Sequence, residues 1–170
     1  MERIHQTCIE MLTQRGYTIT KDENNVIIAE KDNNGTPQQI CAFTEPAAKF
    51  NIDKVHQYIA LLGNMGITHA IVPYNGTVTH VAKKVVQNSG DIVIELFKSN
   101  ELMNNITKSQ FVPLHERTSP EEAAAFKAKY GDGIPELIST RPISRFYGYH
   151  RGDIIRITRD NGYVTYRIVR

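Results

Sequence analysis

Residues 151–169 have the sequence RGDIIRITRDNGYVTYRIV and predict a β-hairpin near the end of the chain. Residues 154–158 and 163–169 are rich in β-branched and aromatic side chains, which favour strands. Asp160-Asn161-Gly162 lies between them, and Asn-Gly between two such segments is a strong hairpin signal. We therefore expect two antiparallel strands joined by a short turn.

Upstream of this hairpin, the sequence predicts a helix with defined ends. Ser119 can cap its N-terminus, Pro120 suits its first turn and Glu122 occupies the capping-box position. Gly131 then stops the helix. Helix and hairpin together predict a small α+β domain over residues 108–170.

The preceding residues, 1–107, have a different pattern and are expected to form a separate domain. Apolar residues recur at helical spacing in some segments and in short continuous runs in others. This alternation predicts an α/β layer with partly parallel strand pairing. The predicted elements are a helix at 2–15, a hairpin with a loose tip at 31–37, a helix at 51–66, a strand at 68–73, a helix at 78–86 and a strand at 91–95.

Composition indicates a globular protein, since 41% of the 170 residues are hydrophobic. No apolar run approaches the roughly 20 residues that span a bilayer, and the N-terminus lacks an apolar signal sequence. We therefore expect a soluble, intracellular protein without a membrane partner. Cys8 and Cys41 are expected to be two buried thiols, because a single cysteine pair in an unsecreted chain is seldom bridged, although a bridge between them stays open. Neither belongs to a CxxC pair, which argues against a structural zinc site.

The net charge of +2 conceals an asymmetry between the two predicted domains. Residues 1–107 hold 9 basic and 11 acidic residues, a net −2, whereas residues 108–170 hold 11 and 7, a net +4. Eight of those 11 basic residues are arginines. Arginine binds carboxylates and phosphates in bidentate fashion and stacks on aromatic rings, although an ordinary solvated basic surface explains the composition equally well.

The sequence offers little support for catalysis. Its six histidines have no metal-binding spacing, and the nucleophile and phosphate-loop motifs are missing. A Mg²⁺-dependent nuclease needs an acidic-x-Lys triplet on a strand. Glu30-Lys31 is adjacent instead of spaced, and Glu95 is followed two residues later by Phe97. We expect no catalytic residue, cofactor or metal ion.

Four ordered motifs in the last 60 residues or so are more specific. Together they resemble the RNA polymerase subunit 5 family, which has a shorter archaeal homologue. The motifs in this chain are Phe111-Val112-Pro113-Leu114-His115, Arg141-Pro142-Ile143-Ser144-Arg145-Phe146-Tyr147-Gly148, Arg151-Gly152-Asp153-Ile154-Ile155-Arg156-Ile157 and Tyr163-Val164-Thr165-Tyr166-Arg167-Ile168-Val169.

A looser resemblance continues upstream through residues 67–73 and 92–107, so that it covers about residues 40–170. It implies the eukaryotic two-domain form: a jaw domain with restriction-endonuclease-like layering at 1–107, and an assembly domain at 108–170. It also implies a non-catalytic subunit of a multisubunit DNA-directed RNA polymerase, with the largest polymerase subunit and the rest of the complex as partners.

In this family the C-terminal domain docks on the largest subunit, and aromatic and arginine side chains are typical interface anchors. For Ile143, Phe146 and Tyr147, a place in the domain core is equally consistent with the sequence. Gly148 and Gly152 are expected in turns with positive φ. The candidate interface residues are His115, Pro142, Ile143, Arg145, Phe146, Tyr147, Gly148, Arg151, Gly152, Tyr166 and Arg167.

The resemblance also implies a DNA-facing element at the turn after the strand at 68–73 and in the helix that follows. The contact with downstream double-stranded DNA is expected to be weak and sequence-independent, because the domain carries a net −2. A solvated lysine pair is an equally good explanation of Lys83 and Lys84. The candidate DNA-facing residues are Asn75, Gly76, Thr77, Thr79, His80, Lys83 and Lys84.

Four departures from the family pattern suggest a divergent or viral lineage. Arg141 stands where the family usually has aspartate, Ser144 replaces the usual alanine, the hairpin tip at 160–162 is short, and the N-terminal region is compact for a cellular eukaryotic member. We expect a viral factory or virion location for a viral protein and the nucleus for a cellular one. Two alternative functions stay open: a free-standing Arg-rich nucleic-acid-binding module and a degenerate nuclease-like domain.

Overall fold

The computed structural model describes residues 2–170, and the chain divides into two compact units. The first unit ends at Asn104 and the second is Asn105–Arg170. This division falls three residues before the expected boundary after residue 107. Within residues 2–170, no helix is long and apolar enough to cross a membrane.

The first unit is built on a five-stranded sheet with the strand order β1-β2-β3-β4-β5. Its first three strands pair antiparallel, whereas β3, β4 and β5 pair parallel through two helical crossovers. The predicted α/β layer with partly parallel pairing is confirmed. The elements are α1 Glu2–Gln14, β1 Thr18–Glu23, β2 Val26–Asn33, β3 Thr36–Phe43, α2 Ile52–Met65, β4 His69–Tyr74, α3 His80–Gln87 and β5 Val93–Lys98.

Helices cover both faces of this sheet. Val55 and Leu62 of α2 and Ala82 of α3 share one apolar cluster with Val72 of β4 and Ile94 of β5. Alternate residues of each strand face the opposite side, where α1 contacts β1 and β2. Strands buried on both faces explain why this part of the sequence contains continuous apolar runs.

The ends of α2 follow the predicted capping chemistry. The side chain of Asn51 accepts a hydrogen bond from the Lys54 amide at 3.1 Å, and Gly66 ends the helix with a φ of 68°. The capping asparagine and the left-handed glycine were sufficient to locate both ends of the helix from sequence.

The predicted loose hairpin tip at 31–37 is wrong. Strands β2 and β3 extend to Asn33 and Thr36, which pair directly, so that only Asn34-Gly35 forms the turn. Both turn residues have positive φ, 54° and 84°, as a two-residue hairpin with matching twist requires. Strand β1 was also missed, because its sequence is mostly polar and exposed.

The second unit is a four-stranded sheet with the strand order β6-β8-β9-β7 and two helices. The predicted α+β character is confirmed, but strand β6, which contains His115, and helix α5 were not predicted. The elements are β6 Leu114–Arg117, α4 Pro120–Tyr130, β7 Glu136–Leu137, α5 Pro142–Tyr147, β8 Ile154–Thr158 and β9 Val164–Val169.

Two small apolar clusters hold the second unit together. Ile154 and Ile168 contribute to the cluster against which Phe126 of α4 packs. Ile155 and Val169 belong to the other cluster. Neighbouring residues of one strand point to opposite faces, so the unit has a thin core on each side of its sheet.

The C-terminal hairpin turns in the way that its sequence predicts. The Gly162 amide donates to the Arg159 carbonyl oxygen at 2.8 Å, and Gly162 has a φ of 79°. A type I turn followed by a left-handed glycine is a common three-residue hairpin connection.

An ion cluster ties the end of α1 to the sheet of the first unit. The guanidinium of Arg15 donates to both carboxylate oxygens of Glu95, at 2.7 and 2.8 Å, and His69 Nε2 lies 2.6 Å from Glu95 Oε1. Burial alone would raise the pKa of the Glu95 carboxyl, but the Arg15 guanidinium and the His69 ring lower it to about 2. The carboxylate is therefore charged and fully partnered.

We predict that Glu95→Gln destabilises the first unit by about 3 kcal/mol near neutral pH, because the buried Arg15 guanidinium would lose its counter-ion. Since the folded-state pKa is depressed, the stabilisation is complete above the ordinary value of 4.5 and is lost as pH falls towards about 2. Urea unfolding over this pH range measures both effects.

The exposed variant Glu23→Gln serves as the control, and it should leave stability nearly unchanged. The same acid-induced loss of stability in the wild-type chain and in Glu95→Gln would contradict the role of this carboxylate.

Candidate interaction surfaces

Helix α5 and the turn after it carry most of the predicted interface residues. Gly148 ends the helix with a φ of 63°, and Gly152 has a φ of 90° in the following turn. The predicted positive φ of both glycines is confirmed. Residues with a side chain would be strained at these positions, so the two glycines fix the course of the turn.

Arg117 organises this turn from the neighbouring strand β6. Its guanidinium donates to Asp153 Oδ2 at 3.0 Å and to the Gly148 carbonyl oxygen at 3.2 Å, and lies 5.5 Å from the centre of the Tyr149 ring. Asp153 Oδ2 also accepts a hydrogen bond from the His150 amide at 2.7 Å. Sequence reasoning missed Arg117, Tyr149 and Asp153 as parts of this surface.

Two stacked tyrosines extend the same surface. The rings of Tyr147 and Tyr149 lie 5.2 Å apart with an interplanar angle of 12°. Burial raises the pKa of both hydroxyls above their ordinary value, so both tyrosines are neutral in the physiological range. The two half-buried rings lie beside the Arg117 guanidinium, a combination of aromatic and arginine side chains that is typical of protein interfaces.

The predicted interface residues do not all reach the surface. Phe146 is only 2% exposed and His115 is also buried, so both side chains belong to the interior of the second unit. The core alternative for Phe146 is therefore the correct one. Arg151 and Pro142 are exposed, and the remaining candidates are half-buried: Ile143, Arg145, Tyr147, Gly148, Gly152, Tyr166 and Arg167.

His115 has a structural role. Its Nδ1 lies 2.7 Å from the Pro113 carbonyl oxygen, which can only accept, so Nδ1 carries the hydrogen. Burial, and to a smaller extent Arg167, lower the pKa of the His115 ring, against the opposing effect of this hydrogen bond. A neutral ring thus fixes the chain just before β6.

Tyr166 and Arg167, on β9, both have partners within the unit. The Tyr166 hydroxyl lies 3.3 Å from Glu122 Oε1, and its ring lies 4.5 Å from that of Phe126. Arg167 donates to the Glu136 carbonyl oxygen at 2.9 Å. Both side chains are half-buried, and they join β9 to α4 and to β7.

The two sequence departures in α5 have structural consequences. Ser144 is buried, and its hydroxyl donates to the Ile138 carbonyl oxygen at 3.0 Å, a bond that the usual alanine could not make. Arg141 occupies the N-cap position of α5, where its side chain accepts no hydrogen bond. An aspartate at this position could accept one, because N-cap carboxylates bind the amides of the first turn.

All seven predicted DNA-facing residues are exposed on the first unit. Four of them lie in the turn between β4 and α3, and His80, Lys83 and Lys84 lie in α3. The turn is held firmly: the Asn75 amide donates to the Ala47 carbonyl oxygen at 2.8 Å, and the Ser99 hydroxyl donates to Asn75 Oδ1 at 2.6 Å. The hydroxyl of Thr79 caps α3 by accepting from the Ala82 amide at 3.3 Å.

The structure adds two lysines that the sequence did not connect with this element. Lys98 ends β5 and pairs with Tyr74 in the sheet. Lys49 lies between Ala47 and Phe50, which bridge to Tyr74 and Val78, so its segment runs beside the turn. Both lysines are exposed. Only the pairing of distant segments brings these two lysines beside the turn after β4.

The two cysteines are separate buried thiols. Burial raises the pKa of both to about 12, which makes them poor nucleophiles. Within residues 2–170, no group of three or more histidine, cysteine or acidic side chains is arranged to hold a metal ion.

Comparison with known proteins gives matches to both units. Residues 104–169 match the family model described as RNA polymerase Rpb5, C-terminal domain. Subunit 454R of Invertebrate iridescent virus 6, named as a DNA-directed RNA polymerase subunit, is 32% identical over 98% of this chain and 97% of its own length.

Cellular proteins match over a similar extent. Subunit RPABC1 of DNA-directed RNA polymerases I, II and III from Caenorhabditis elegans is 27% identical over 98% of this chain and 94% of its own length. The Dictyostelium discoideum protein of the same name is 26% identical over 98% and 95%, respectively. The similarity therefore spans both units.

We predict that Arg141→Asp stabilises the second unit by about 1 kcal/mol, because it supplies the missing N-cap acceptor and a charge favourable to the helix dipole. Urea unfolding followed by NMR signals of α5 measures the change at low salt. Arg141→Asn should retain most of the gain, and Arg141→Ala should show none. Equal stability of Arg141→Asp and Arg141→Ala would refute the capping explanation.

Proposed function

The chain belongs to the RNA polymerase Rpb5 family, and from this premise we propose that it is a non-catalytic subunit of a multisubunit DNA-directed RNA polymerase. The observation that carries the proposal is the similarity to polymerase subunits over 98% of the chain. Because the similarity extends over both units, it supports the role of a polymerase subunit and not merely a shared small domain.

In this proposal the second unit docks on the largest polymerase subunit. Its net charge of +4 and its arginines suit a partner surface with carboxylates. Arg117, stacked near Tyr149 beside Tyr147, supplies the aromatic and guanidinium groups that dominate many interfaces. The accessible contact residues are Arg151, Pro142 and the half-buried side chains of α5 and β9.

The first unit is proposed to form part of the jaw beside downstream DNA. Its two-sided α/β layering is compatible with the restriction-endonuclease-like arrangement expected for a jaw domain. The candidate DNA-facing residues, with Lys49 and Lys98 beside them, offer amide and ammonium groups for phosphates. The unit's net −2 supports a weak, salt-sensitive contact that depends on assembly into the polymerase.

The viral relative is more similar to this chain, at 32% identity, than the two cellular subunits at 27% and 26%. We infer that the chain comes from a large DNA virus with its own polymerase. A viral subunit would act in a cytoplasmic factory or in the virion, whereas a cellular subunit would act in the nucleus.

The two alternatives predict different chemistry. A free-standing nucleic-acid-binding module would bind DNA as an isolated chain, with strong salt dependence. A nuclease would cleave DNA only with Mg²⁺. Glu95, the acid considered for such a site, is instead held by Arg15 and His69, which argues against its use as a metal ligand.

We predict that the tagged full chain, expressed in its native host or infected cell, recovers the two large polymerase subunits at near-equal stoichiometry. Mass spectrometry of the purified complex measures this ratio. Arg151→Glu should lower recovery at least about fivefold, since it places a like charge in a carboxylate-binding surface. Arg3→Glu, an equal charge change on α1, is the control. Recovery of the chain alone or with nucleic acid only would overturn the subunit function.

We predict that Lys83→Glu combined with Lys84→Glu weakens DNA binding by the assembled polymerase. The slope of log K against log salt should fall by about 0.9 for each phosphate that the lysines no longer neutralise. The double variant Lys127→Glu with Lys129→Glu makes the same charge change in the second unit and serves as the control. Equal slopes for the two double variants would rule out the DNA-facing role of α3.

A further inference from the structure

Strand β6 is an edge strand of the second sheet, with β8 on one side only. Next to it, the Thr118 amide donates to the Ile154 carbonyl oxygen at 3.0 Å. In an antiparallel ladder, alternate residues bond to the neighbouring strand. Glu116 and Leu114 therefore face β8, whereas the N–H and C=O groups of His115 and Arg117 point away from the sheet.

These four outward groups form the β6 edge. Within residues 2–170, none of them has a hydrogen-bond partner. The preceding outward carbonyl, that of Pro113, is already bonded by the His115 side chain. The β6 edge therefore offers two donors and two acceptors at the spacing that an added strand would use.

Exposed apolar side chains lie beside this edge. Phe111 is 84% exposed and Leu114 is 54% exposed. Leu114 pairs with Thr158, which in turn pairs with Val164, so all three share one face of the sheet. Val164 and Tyr163 are also exposed. Phe111 and Leu114 lie at the unpaired edge itself, and Val164 lies two strands away on the face of Leu114. Exposed apolar groups at an unpaired edge are unusual unless another chain covers them.

The first sheet shows how this chain protects an edge that stays in water. Strand β1 carries exposed charged residues at its end, Lys21, Asp22 and Glu23, and its pairing is interrupted by a bulge after Ile19. Charges and bulges are the usual means of preventing strand addition. Strand β6, in contrast, pairs with β8 in continuous register from Leu114 to Arg117, without such a bulge.

We propose that the β6 edge receives an extended segment of another polymerase subunit, which adds a fifth strand to the second sheet. The net charge of +4 over residues 108–170 favours a segment with acidic side chains. An apolar residue opposite Leu114 would cover the exposed patch. An acidic residue opposite Arg117, on the other face, would share its guanidinium. The inference rests on the proposed function and adds the contact by which the partner binds.

Amide hydrogen exchange tests the edge directly. Exchange rates are measured by NMR for the free full chain. In the purified polymerase they are measured by mass spectrometry with residue-resolved fragmentation. The His115 and Arg117 amides should exchange rapidly in the free chain and about tenfold or more slowly in the complex. The Glu116 amide, which faces β8, should be protected in both and is the internal control.

Two pairs of variants test the same contact through recovery of the large subunits. Arg117→Pro and Arg117→Ala both remove the guanidinium, but only proline removes the outward N–H, and it leaves the bonds to β8 in place. Recovery with Arg117→Pro should be at least about fivefold lower than with Arg117→Ala. NMR of each free variant verifies that the sheet is folded.

The second pair places a charge on the apolar patch. Leu114→Glu should reduce recovery, whereas Ile138→Glu should not, although Ile138 is similarly exposed at 47% and lies next to β7. Equal recovery within both pairs, with unchanged exchange of the His115 and Arg117 amides in the complex, would refute the β6 edge as a contact while the subunit function stands.

Two further outcomes would count against the proposal. Protection of the His115 and Arg117 amides that rises with concentration of the free chain would indicate a second copy on the β6 edge and would overturn the proposal. Failure to recover polymerase with the wild-type chain would refute the proposed function and this inference together.

Discussion

The Glu95 carboxylate imposes the constraint on which the first unit depends. A charge with only a fifth of its side chain exposed must be matched by opposite charge and hydrogen bonds. Arg15 and His69 supply them from 80 and 26 residues away, so the end of α1 and the start of β4 are fixed against β5. The same sheet then places the turn after β4 beside the end of β5, so that Lys98 lies next to the candidate DNA-facing turn.

Local chemistry made much of this fold predictable. The caps at Asn51 and Ser119, the stop at Gly66 and the turn at Gly162 act within a few residues of their partners, so spacing alone reveals them. Strand β1 and helix α5 were missed because their local signals are weak: β1 is polar, and α5 has six residues and no side-chain cap. These two elements form because of tertiary packing, which overrides intrinsic secondary-structure propensity.

The candidate surfaces were predictable to a lesser degree, for the same reason. A motif identified residues 142–148 as interface candidates without revealing their helix, but Arg117 and Asp153 meet through a pairing of β6 with β8 that no local pattern contains. Likewise, Lys98 joins the DNA-facing element only through its pairing with Tyr74. Burial separated the two possibilities for Phe146, since hydrophobic motif residues serve a core or an interface equally well until the fold is known.

The small core of the second unit gives a reason for an uncovered edge strand and exposed apolar groups in the free chain. Its core is divided between two small clusters on opposite faces of the sheet, and single domains of this size have little stability to spare. A partner strand on the β6 edge would bury Phe111 and Leu114, satisfy four backbone groups and add its binding free energy to the folded state alone. Folding of this unit and its assembly into the polymerase would then be thermodynamically linked, so a chain that fails to assemble would unfold more readily than one in the complex.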